Sequence, residues 1–60
     1  MKEYRAYAMN AAGATTDVAS GQTFETIKAV ETAARNEFGS GWKIVILTRP
    51  FVVAKQFTIK

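Results

Sequence analysis

The spacing of the apolar residues changes twice along this sixty-residue chain, and that change constrains the fold more than any other feature of it. From Lys2 to Met9 the residues alternate: Tyr4, Ala6 and Ala8 fall on one side, Glu3, Arg5, Tyr7 and Met9 on the other, the period of a half-buried strand. Between Gln22 and Phe38 the period lengthens. Ile27, Val30, Ala34 and Phe38 recur at three or four residues, with Phe24 close to the same stripe and Glu25, Lys28, Glu31, Thr32 and Arg35 opposite, which predicts an amphipathic helix. After Gly41 the chain returns to β-branched and aromatic residues in two runs, Trp42–Leu47 and Phe51–Ile59. Thr48-Arg49-Pro50 separates them as a hairpin would, proline lacking the N–H that a ladder requires.

The punctuation agrees with this division. Asn10-Ala11-Ala12-Gly13 suits a type I turn or bulged hairpin, since glycine accepts positive φ without steric cost, and it leads into a short second strand expected over Thr15–Ala19. Ser20 or Thr23 is placed to cap the helix, and Gly39 to end it in a left-handed stop. The order is ββαββ, an α+β single domain over residues 1–60. If the helix returns along one face, the strands form an antiparallel sheet in the order 2-1-3-4 without crossed connections. Ala6 and Ala8 then lie under the helix, where small side chains permit close approach.

One helix cannot cover both faces of such a sheet. With Trp42, Ile44 and Ile46 turned toward the helix, Val45 and Leu47 face the other way with Lys43, Tyr7 and Met9. In the fourth strand Phe51, Val53, Phe57 and Ile59 share one parity, and Val52 and Ala54 the other. An apolar patch is therefore expected on the open face, the kind of surface that marks a contact site, and a homodimer is the simplest way for so small a chain to cover it. The alternative is that bulges or twist in the fourth strand bury most of these residues.

Catalytic chemistry finds no support in the composition. There is no Cys and no His, which excludes disulfides and removes the usual zinc ligands, so neither metal nor cofactor is expected. Asp17 has no carboxylate at a spacing that would place the two together, and Glu25, Glu31 and Glu37 fall on the helix face read as solvated. Gly39-Ser40-Gly41-Trp42-Lys43 follows a helix and enters a strand, the reverse of a phosphate-binding loop. The chain reads as a binding protein and not an enzyme. Apolar residues at 48% mark a folded chain, no run approaches the ~20 residues that span a bilayer, and the first residues lack a signal-peptide core, so a cytoplasmic location without membrane contact is expected. Eight Lys/Arg against five Asp/Glu give +3, which permits contact with DNA or RNA without requiring it.

The residues placed to meet a partner are Arg5, Tyr7, Lys43, Val45 and Leu47 on the open face, Arg49 and Phe51 at the last hairpin, and Lys55 on the fourth strand. Trp42 is expected to pack at the core or its edge. Lys55 on an edge strand would also discourage uncontrolled sheet pairing. For the open face, stacking of Tyr7 on a base with Arg5 and Lys43 on phosphates stands beside the plainer reading of a solvated face carrying one tyrosine.

The layout formed by Tyr4-Arg5-Ala6-Tyr7, a glycine turn, Val18-Ala19-Ser20, a helix with Ile27-Lys28-Ala29 and Ala33-Ala34-Arg35, and then Gly41-Trp42-Lys43-Ile44-Val45 resembles the small ββαβ proteins of phages and mobile elements. It is similar to small anti-CRISPR inhibitors of type I surveillance complexes. The resemblance implies a protein that occupies the nucleic-acid-binding surface of a bacterial host complex and blocks target recognition. Because the chain is basic, steric occlusion or binding to an acidic patch fits better than mimicry of nucleic acid. Beside this inhibitor or adaptor reading stand a small nucleic-acid-binding regulator that uses Arg5, Lys43, Arg49 and Lys55 on phosphates, and a self-assembling dimeric module.

Overall fold

A computed structural model describes residues 3–48 and 52–60. The alternating segment forms strand β1 (Tyr4–Met9) and turns into β2 (Thr15–Asp17) through the expected glycine turn. Asn10 organises that turn. Its Oδ1 accepts from the N–H groups of Ala12 and Ala14 at 2.9 and 3.0 Å, and its carbonyl accepts from Gly13, whose φ of +87° is the positive value a bulged hairpin demands.

Strand β2 stops two residues before the expected Ala19. Val18 leaves the sheet edge and is fully buried. Ala19 (φ 52°, ψ 37°), Ser20 (φ 56°, ψ 31°) and Gly21 (φ 85°) then take three consecutive left-handed conformations. The reversal brings Phe24 back beside β1, where it exchanges two backbone hydrogen bonds with Tyr4, 2.8 and 2.7 Å. Phe24 is therefore extended, and helix α1 (Ile27–Glu37) begins later than Gln22. Its cap is Thr26, not Ser20 or Thr23: the Thr26 Oγ1 accepts from the Ala29 N–H at 3.1 Å and satisfies one of the donors exposed at a helix start. The helix also ends differently from expectation. Phe38 is extended (φ −120°, ψ 146°), and the left-handed glycine is Gly41 (φ +93°), not Gly39.

Strands β3 (Lys43–Thr48) and β4 (Val52–Thr58) complete a four-stranded antiparallel sheet in the order β2-β1-β3-β4, the predicted topology. Ile59 prolongs the β3–β4 ladder past Thr58, donating to the Trp42 carbonyl at 2.9 Å and accepting from Gly41 at 2.7 Å. One side of the sheet holds the core. Tyr4, Ala6 and Ala8 of β1 and Ile44 and Ile46 of β3 are buried against Val30 and Ala34 of α1, with Val18 and Ile59 at its margins. Opposed alanines on strand and helix leave room for the backbones to approach. Trp42 sits at the core edge, as expected, its ring 4.9 Å from that of Phe38 and tilted by 50°. Among the described residues no helix is long and apolar enough to cross a membrane.

Candidate functional site

Cross-strand register decides which side chains share the face that α1 leaves open, because residues opposite one another in an antiparallel ladder project to the same side. Three rows follow. The central row is Asp17, Tyr7, Val45 and Gln56; one neighbouring row is Arg5, Leu47 and Val53; the other is Thr15, Met9, Lys43 and Thr58. Val45 is only 4% exposed and yet stands apart from the core beneath α1, so it is the floor of this second apolar cluster. Tyr7, Met9 and Leu47 are half-buried around it, and Val53 is 51% exposed toward the β4 edge. Arg5, Lys43 and Asp17 lie exposed at the periphery. The result is an apolar centre with a polar rim, the anatomy of a protein-contact patch.

Five of the predicted residues, Arg5, Tyr7, Lys43, Val45 and Leu47, share this face. Arg49 and Phe51 lie outside the described residues. Lys55 lies on the fourth strand, as expected, but not on this face. It projects to the helix side, opposite Ile46, and its Nζ meets the Glu31 Oε2 at 3.1 Å. The nucleic-acid reading had grouped Lys55 with Arg5 and Lys43, and the sheet separates them. The same contact revises Glu31, which bridges helix to strand and is only 23% exposed. Glu37 is likewise revised: its Oε1 accepts from the Ala19 N–H at 2.7 Å and ties the end of α1 to the left-handed turn.

The parity expected for β4 fails because the ladder shifts register. Ile46 pairs with Lys55 but Leu47 pairs with Val53, so Ala54 is an extra residue in a β-bulge. Val53 consequently faces the open side, whereas Phe57 and Ile59 face the helix. Phe57 packs at the core edge beneath the Arg35 guanidinium, 4.8 Å from its ring centroid. With Phe57 and Ile59 toward the helix, alternation alone places Gln56 and Thr58 on the open side; the bulge adds Val53 to them and turns Val52 away.

No protein-family model matches the chain, and neither a curated protein nor a solved structure matches it.

Proposed function

We propose that this chain is a small non-catalytic binding protein that docks through its open sheet face on a bacterial protein complex and inhibits it by steric occlusion, as a phage or mobile-element inhibitor of a CRISPR-type surveillance complex would. The observation that carries the reading is the second apolar cluster, Val45 with Tyr7, Met9, Leu47 and Val53, on the side of the sheet that α1 does not cover. A cluster of this kind gains by excluding water against an apolar partner surface. Arg5 and Lys43 at its rim favour a partner with acidic groups around an apolar contact.

The test uses a purified type I surveillance complex and its labelled target DNA. The protein should reduce DNA binding in proportion to its concentration, and Val53→Glu, which places a charge at an already exposed edge position, should lose about tenfold in potency, the order expected when a carboxylate enters an apolar contact. Inhibition unchanged by Val53→Glu and Tyr7→Ala, or no inhibition by the wild type, contradicts the proposal.

A nucleic-acid module is the second reading, supported by Tyr7 lying between Arg5 and Lys43 on one face. With Lys55 turned to the other side, the strand ladder places Arg5 and Lys43 on that face, and Asp17 opposes them. Direct binding would show a salt slope of only about −2 on a double-logarithmic plot.

A further inference from the structure

The two edges of the sheet differ in how they are protected. Edge strand β2 spans only three residues, Thr15–Asp17, before the left-handed turn at Ala19 and Ser20 carries the chain away. A short edge offers little to pair with. Edge strand β4 spans seven residues and carries a single charge, Lys55, the residue type that normally guards an edge. That charge is engaged by Glu31 on the helix side. The N–H and C=O of Ile59 both point to the β3 side, so by the two-residue period those of Phe57 and Lys55 do too, and those of Gln56 and Thr58 point outward.

We infer that β4 pairs antiparallel with β4 of a second copy of this chain, with Gln56 on the two-fold axis. This register exchanges both backbone hydrogen bonds of Gln56 with its symmetry mate and brings Thr58 to Ala54, where the bulge ends the paired stretch. Charge selects it over its neighbours. On the helix side β4 presents Lys55 beneath Glu31 and Phe57 beneath Arg35, 3.1 and 4.8 Å apart respectively. A two-fold at Gln56 sets Lys55 opposite Phe57 of the second copy, and Glu31 therefore faces the other copy's Arg35, twice over. Centring the pairing on Phe57 would oppose Arg35 to Arg35, and centring it on Lys55 would oppose two ammonium groups. The dimer is an eight-stranded sheet with both helices on one side and two open faces side by side on the other, so a partner bound by one face can be bound twice.

The inference is distinct from the proposed inhibitory role, since it rests on the outward backbone groups of β4 and the charges on its helix side, whereas that role rests on the apolar side chains of the open face. Sedimentation equilibrium of the purified chain, from micromolar concentrations to about 1 mM where a strand-only contact should populate the dimer, tests it. The expected mass rises from 6.6 kDa toward twice that value. Gln56 is exposed, so Gln56→Lys and Gln56→Glu should each keep the wild-type circular dichroism spectrum. Each places like charges directly opposite one another, which should weaken the dimer about fivefold, and an equimolar mixture of the two should restore it as a heterodimer. A wild type that stays monomeric overturns the inference. So does a dimer that both substitutions leave unchanged, or a mixture that associates no better than either variant alone.

Discussion

Ala19 and Ser20 hold a conformation that L-residues avoid, with φ of 52° and 56°. The cost is about 1–2 kcal/mol per residue, because Cβ approaches the following carbonyl oxygen. Glu37 fastens the start of the turn through the Ala19 N–H, and burial of Val18 rewards it. Ser20→Gly should therefore stabilise the protein by about 1 kcal/mol, read as a higher urea midpoint at unchanged slope. Gly21→Ala, at φ +85°, should shift the midpoint the other way. Glu37→Ala should cost about 1 kcal/mol by removing the acceptor, while Glu37→Gln, which keeps a carbonyl oxygen, should cost less. Little of this turn is legible in the chain. Val18-Ala19 continues the β pattern of Thr15–Asp17, and Gly21 is the single local sign of positive φ. The decisive contact comes from Glu37, eighteen residues away. Lys55 and Glu31 were hidden for the same reason: a residue's partner on another element is not encoded in its own neighbourhood.

The elements themselves were legible because each is written in its own period. Strand β1 follows its alternation residue by residue, and α1 follows the stripe of Ile27, Val30 and Ala34, although Phe24 joins the sheet instead of the helix. The expected caps, Ser20 and Thr23, lie too early: the Tyr4–Phe24 bridge keeps Phe24 in the sheet, so the helix starts after it and Thr26 caps it instead. Thr26→Ala should destabilise by about 1 kcal/mol, with Thr26→Ser near neutral, measured by denaturant titration. In β4 one extra residue, Ala54, inverts the facing of everything before it, and no side chain at the bulge announces it. The surface ion pair it leaves between Lys55 and Glu31 is half-solvated. Lys55→Ala should cost under about 1 kcal/mol, diminishing with salt.

At the scale of the whole molecule, a chain of this length has on the order of 3–9 kcal/mol of stability, at about 0.05–0.15 kcal/mol per residue. Ile44 and Ile46 are fully buried at the centre of the core. Ile46→Ala should cost about 2–5 kcal/mol, enough to leave much of the population unfolded at ordinary temperature, visible as loss of the cooperative thermal transition. Val53→Glu should leave that transition near its wild-type position, since Val53 is 51% exposed. This contrast separates stability from the proposed binding: one side of the sheet holds the fold together, and the apolar cluster on the other is the proposed contact surface. Topology and the existence of an uncovered face follow from simple counting, one helix against two faces. Its membership does not, because the bulge decides it. Capture of a protein by the open face, as proposed, can be read by quantitative affinity capture from nuclease-treated bacterial lysate, comparing the wild type with Tyr7→Ala, Val53→Glu and the helix-surface control Lys28→Glu. A nuclease-resistant protein partner should be retained by the wild type and Lys28→Glu and lost by both open-face variants. Recovery that depends on intact nucleic acid, or that survives both open-face substitutions, would contradict it.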